Sequence, residues 1–226
     1  MSDPHVRPPR QVRSRRTLDR MLDAAEELLE DRSFEHITVD EIARRAGCTK
    51  GAFYHRFDDK ASLLRHLDGR TFEVALEGWE AFLGPGRWRG QGLREIAEAF
   101  VRRLAGIYTR RGHLMRAFVY EARWRRDEVV RARARELNGF VRDHLLVLVR
   151  ERRDALPAGH GSPASRVDFW LGACTGVLGQ VLLFSDLDTG GGEPTPERAT
   201  DEAVRLLVPY LAGDGRGPTS PEGASG

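Results

Sequence analysis

The sequence predicts an all-α protein, with an N-terminal helix-turn-helix domain joined by a long helix to a C-terminal helical domain. Three observations carry the class. Apolar residues recur at three- and four-residue intervals along most of the 226 residues, no run alternates apolar and polar residues between turn signals, and the breaks fall at glycine and proline. A length of 226 residues, set against ~150 per domain, allows one or two domains. With 40% apolar and 31% charged residues, a sizeable core forms and wholesale disorder is excluded.

Leu18, Met21, Leu22, Ala25, Leu28 and Leu29 form one apolar stripe and make the first helix, with Phe34 and Ile37 closing the same core. Thr38-Val39-Asp40-Glu41 has the spacing of a capping box and opens a short helix from Val39 to Ala46. Gly47 stops it, and Thr49 caps a further helix running through Tyr54 to Phe57. Asp58 or Asp59 caps a longer helix from Lys60, whose Leu63, Leu64, Leu67, Phe72, Leu76, Trp79 and Phe82 carry it towards Gly84-Pro85-Gly86. Helical patterns then cover 91–109, 113–125 and 127–155, ended by Pro157 and Gly159. Ser162-Pro163 and Thr195-Pro196 mark two more helix starts. Four segments follow: a disordered basic arm over 1–16, a helix-turn-helix domain over 17–67, a helical domain over 68–212, and a disordered tail over 213–226.

The net charge of +2 hides an asymmetry: 34 of the 36 basic residues are arginine, and only Lys50 and Lys60 are lysine. With only one asparagine and four isoleucines, this reads first as the codon usage of a GC-rich genome. Cys48 and Cys174 lie far apart with no CxxC and no histidine pair nearby, against a disulfide framework or a structural zinc site. No metal or cofactor is expected, and a reduced cytoplasm fits. Met1 to Arg16 has no apolar stretch of a signal peptide. The apolar run Phe169–Phe184 falls short of the ~20 residues of a membrane span, contains three glycines, and reads as a buried helix.

Two short helices joined at Gly47 have helix-turn-helix geometry, and the second suits a DNA major groove. Gly51 and Ala52 are small enough to let its backbone approach base edges. Lys50 and Arg56 are the candidates for base contacts, since both can donate to guanine O6 and N7. Thr38, Thr49, Tyr54, His55 and Lys60 are the candidates for phosphate contacts, which position a protein without reading sequence. Arg7, Arg10, Arg13, Arg15 and Arg16 against Asp3 make the arm basic, suited either to an adjacent minor groove or to solvent.

Residues 17–67 closely resemble the DNA-binding domain of the tetracycline-repressor (TetR-like, AcrR) family. The resemblance rests on Met21-Leu22-Asp23-Ala24-Ala25-Glu26-Glu27-Leu28, Thr38 through Gly47, Thr49-Lys50-Gly51-Ala52-Phe53-Tyr54, and Phe57, Lys60, Leu63 and Leu64, all in register over about a quarter of the chain. Ser33 stands where that family usually has glycine, so either it takes a left-handed conformation or the turn differs. Cys48 replaces a usual aliphatic residue and reads as a small core residue. The resemblance implies that the helical domain over 68–212 is regulatory and dimerising. It implies a bacterial homodimer that binds a palindromic operator, with the last two helices pairing across a two-fold axis and a small-molecule effector releasing the DNA.

Candidates for an effector pocket are Trp79 and Phe82 on the connecting helix, then Phe100, Leu104 and Tyr108, then Phe118 and Trp124, and finally Phe169, Trp170 and Cys174. Each is also an ordinary core residue by its spacing. Between Arg87 and Arg135 fourteen arginines face five acidic residues, which reads as a solvated basic face, an anion site or auxiliary DNA contact. Two other classes remain. An enzyme is disfavoured because there is no nucleophile elbow, HExxH or dinucleotide fingerprint, and the Asp186/Asp188 pair lies in a glycine-rich loop. A nonspecific DNA-packaging protein would bind all duplexes alike.

Overall fold

The computed structural model describes residues 10–156, 161–184 and 195–213. Among them the α-helices are α1 (Arg10–Asp31), α2 (Val39–Arg45), α3 (Lys50–Tyr54), α4 (Lys60–Leu83), α5 (Leu93–Arg110), α6 (Gly112–Arg123), α7 (Glu128–Glu151), α8 (Pro163–Leu178) and α9 (Pro196–Ala212), with no strand among the described residues. The caps lie where the sequence puts them: Thr38, Thr49, Ser162 and Thr195 each accept a backbone N–H from the first turn. Gly47, at φ 61, supplies the left-handed residue between α2 and α3. The readings for Pro157 and Gly159, the Asp186/Asp188 loop and the tail beyond Gly213 lie outside the described residues.

Two local expectations change. The helix does not wait until residue 17: α1 begins at Arg10, immediately after Pro8-Pro9, so the second half of the segment read as a disordered arm is helical. Proline is costly inside a helix but can precede one freely, and nothing between Arg10 and Arg16 breaks it. Ser33 avoids the left-handed region altogether. It is extended, at φ −68 and ψ 151, and leads into a 3-10 turn over Phe34–His36, so the turn differs and no steric cost arises.

The chain divides into two compact units. One combines Met1–Ala75 with Arg111–Glu136, the other Leu76–Arg110 with Leu137–Gly226. In the first, Met21, Leu22, Ala25 and Leu29 of α1 pack with Ile42 of α2, its C-cap Ala46, Phe53 of α3, Phe57, and Leu63, Leu64 and Leu67 of α4. Leu114 and Ala117 of α6 complete that core, with Met115 and Phe118 packed against it. The helical period of α6 shows that it buries one stripe; it carries no sign that the stripe meets residues ninety positions earlier.

Arginines tie the same unit together. Arg133 of α7 donates to the Arg65 carbonyl (2.8 Å) and to Asp68 Oδ2 (2.9 Å), and Arg65 donates to Asp127 Oδ2 (3.0 Å). Arg70 bridges Asp23 and Glu26 of α1, each at 2.6 Å. Gly69 makes room for the first of these ties, since a Cβ there would stand 3.0 Å from the Arg133 guanidinium.

In the second unit α5, α8 and α9 pack on one another. Trp79 and Phe82 of α4, Phe100 of α5 and Trp170 of α8 form a continuous ring cluster, with centroids 4.9 Å apart for Trp79–Phe100 and 5.0 Å for Phe100–Trp170. The Trp170 indole donates to the Leu207 carbonyl of α9 at 2.8 Å, so its one polar atom is satisfied inside the core. Helix α8 buries Val167, Trp170, Cys174 and Leu178 but leaves its other side open: Phe169 is 62% exposed, and a Cβ on Gly172 or Gly176 would meet nothing within 4 Å. No helix among the described residues is long and apolar enough to cross a membrane.

Candidate nucleic-acid interface

Helices α2 and α3 are positioned from within. Ile42 and Phe53 are fully buried, and the Phe53 and Phe57 rings lie 5.0 Å apart, so each short helix is pinned by its apolar residues rather than by its length. At α2 the capping box is complete: Glu41 N–H donates to Thr38 Oγ (3.2 Å), and Thr38 N–H donates to Glu41 Oε2 (2.8 Å). Arg32 donates to the other carboxylate oxygen at 2.8 Å. These hydrogen bonds, that from the Thr38 backbone foremost, hold the Glu41 carboxyl down to about 2.

A carboxyl lowered by folding stabilises the fold above its unfolded value of about 4.3, and that contribution disappears as pH falls through the folded value. An NMR titration should therefore find Glu41 half-protonated near pH 2, with the α2 cap intact down to about pH 3. In Glu41→Gln the cap should no longer respond to pH in that window. A Glu41 midpoint near 4 would contradict the geometry.

The opposite sides of the two helices are open. Thr38, Asp40, Thr49, Lys50, Gly51, Tyr54 and His55 are all exposed, and Ala52 is half-buried. Thr49 Oγ accepts from Ala52 N–H at 3.1 Å. A Cβ on Gly51 would meet only Thr49 Oγ, at 3.8 Å, an ordinary contact, so nothing within the protein requires glycine there. The Lys50 ammonium donates to Asp40 Oδ2 at 2.8 Å, and Arg56 donates to Ser14 Oγ of α1 at 3.0 Å. Cys48 is half-buried, its thiol directed at the Ala43 carbonyl.

Lys60 has a different occupation from the phosphate contact expected of it. Its ammonium donates to the carbonyls of Phe34 (2.7 Å) and Ile37 (2.8 Å), lies 3.4 Å from that of Glu35, and sits 4.5 Å from the centre of the Phe34 ring. Burial there lowers its pKa. The side chain fastens the 3-10 turn to the start of α4, a role hidden in the sequence because its partners are backbone atoms.

The pocket candidates separate. Trp79, Phe82, Phe100, Leu104, Trp170 and Cys174 are buried in the second unit, where burial raises the Cys174 thiol far above its ordinary value, and Tyr108 there is half-buried. Phe118 and Trp124 belong to the first unit, and Trp124 is exposed, stacked on Tyr120 at 5.9 Å. Phe169 is exposed beside Tyr210, their centroids 5.0 Å apart. An open cleft lined by Pro85, Gly86, Arg89, Glu151 and Arg152 includes none of these ten.

Known proteins meet this geometry at two scales. The sequence profile of the family described as bacterial regulatory proteins, tetR family, matches residues 21–67. The uncharacterized HTH-type transcriptional regulator YwcC of Bacillus subtilis (strain 168) is 39% identical over 57 residues, 25% of this chain and 26% of that protein, so the match spans about a quarter of its length. Among solved structures, a TetR-family candidate regulator from Mesorhizobium loti MAFF303099 superposes with a TM-score of 0.64 at 18% identity, covering 88% of this chain and 97% of the other. The MbdR regulator from Azoarcus sp. CIB gives 0.62 at 16% identity, covering 85% and 97%. At such identities the structural likeness speaks to the fold. The sequence match lies on the buried Met21-to-Leu67 framework and the exposed α2–α3 surface just described, so that residues 21–67 are similar to the DNA-binding segment of the tetR family of bacterial regulatory proteins.

Proposed function

We propose that this protein is a DNA-binding transcriptional regulator, a homodimeric repressor that holds a palindromic operator and releases it on binding a small molecule. One observation carries the reading: the family-matched segment keeps its large apolar residues inside while Thr38, Thr49, Lys50, Gly51, Tyr54 and His55 remain exposed on the α2–α3 surface. In this reading Lys50 and Arg56 contact bases, with Arg56 first leaving Ser14. Thr38, Thr49, Tyr54 and His55 contact phosphates, and Gly51 and Ala52 admit the close approach.

Two recognition helices about 34 Å apart read a palindrome, which requires two copies. Support for pairing through α8 and α9 comes from the open α8 face, where Phe169 is exposed beside glycines with free space, and from Leu206 of α9, 64% exposed. The effector binds the second unit, and helix α4, whose residues belong to both units, carries the change to the recognition helices. By linkage, DNA weakens effector binding by the same factor.

Selection of bound duplexes from a random pool tests this. The protein should enrich one palindrome and prefer it over a scrambled duplex by about 10³-fold or more at fixed salt. Equal affinity for all duplexes would replace a regulator with a packaging protein.

A further inference from the structure

The Asp40–Lys50 ion pair joins α2 to α3 on their open side, apart from the hydrogen bonds that cap either helix. Asp40 is in the first turn of α2, but the cap there is made by Thr38 and Glu41, and Asp40 takes no part in it. Lys50 opens α3, whose cap is Thr49. Both side chains are more than half exposed, and the Lys50 Nζ–Asp40 Oδ2 distance is 2.8 Å. Beside an otherwise sparsely charged recognition helix, a carboxylate is thus placed directly on the lysine proposed to reach a base.

We propose that Asp40 is a specificity-determining residue, which neutralises Lys50 until a duplex offers a better acceptor than the carboxylate; this rests on the DNA-binding reading above. The electrostatics follow from the pair being closed or open. Closed, the two side chains present no net charge to a phosphate backbone and release no counterion, so they add nothing to sequence-independent binding. The carboxylate itself is repelled by phosphates. Exposed ion pairs of this kind open at little cost, so the clamp does not block recognition.

Guanine offers the ammonium two acceptors, O6 and N7, and a cytosine N4 amine offers the released carboxylate a donor. A matched site therefore satisfies both groups once the pair opens, whereas on a mismatched duplex the pair stays closed and contributes nothing. Asp40 acts by lowering affinity for wrong DNA as much as by favouring the right one.

The test uses the full chain, the duplex selected above and a scrambled duplex of equal length, over a series of salt concentrations. Asp40→Asn should tighten scrambled-duplex binding by about three- to tenfold, steepen its salt dependence by about one counterion, and tighten the selected duplex less, so that discrimination falls. In a Lys50→Gln background, Asp40→Asn should leave most of that discrimination change missing, because the carboxylate acts through the ammonium. Thermal melts of each variant separate binding from folding, and Asp40→Ala repeats the comparison without an amide. An unchanged ratio of affinities in both Asp40 variants, or the same change with and without Lys50, would overturn the role of Asp40. A wild-type protein with no duplex preference at all would instead overturn the regulator reading on which it stands.

Discussion

Replacing Arg133 with methionine is expected to cost the first unit about 2–3 kcal/mol, the largest loss from any single charged residue considered, visible as a lower midpoint in urea or heat. Asp68 is only 8% exposed, and burial raises its pKa even with Arg133 beside it. Removing the guanidinium strands that carboxylate and takes from the Arg65 carbonyl its second donor, beyond the helix's own. The figure lies below the ~3–5 kcal/mol of a fully buried pair because the Arg133 side chain is 32% exposed and water screens part of the interaction.

The pH dependence checks the cause. A carboxyl whose pKa is raised by folding binds its proton more tightly in the native state, so its contribution is most favourable below the unfolded value of about 3.9 and declines as pH rises through the folded one. Arg133→Met should deepen that decline, and Arg133→Met with Asp68→Asn should remove it. A double variant as pH-sensitive as the single one would place the effect elsewhere.

Lys60→Met should lower stability by about 2 kcal/mol, because the Phe34 and Ile37 carbonyls lose a charged donor and the Phe34 ring its cation. Its effect on DNA binding separates two roles. If the ammonium serves the turn, as its three carbonyl neighbours indicate, binding at temperatures where the variant is folded keeps the wild-type salt slope. If instead the slope falls by about one unit with stability intact, Lys60 leaves those carbonyls for a phosphate in the complex. The two measurements together assign the residue.

The helices were legible in the sequence because their signals are local. Thr38, Thr49, Ser162 and Thr195 announce helix starts by side-chain chemistry that acts within three residues, and Gly47 announces its turn by the absence of a side chain. Exposure on α2 and α3 followed from which residues were too apolar to be there. Arg10–Arg16 was less legible, since charge density reads the same in a disordered arm and in a helix.

By itself, then, the sequence determined the helical class, the two-helix segment and its likeness to the tetR family, all of which rest on spacing and residue type over short stretches. Tertiary structure alone decided who meets whom. It brought α6 into the core against α1 and the 3-10 turn, turned Lys60 inward, and set Asp40 against Lys50 and Arg133 against Asp68. The arginine excess illustrates the difference. Composition attributes it to a genome, while the folded chain spends several arginines joining residues 44 to 65 positions apart. A guanidinium finds its carboxylate through space, and no periodicity along the chain records that distance.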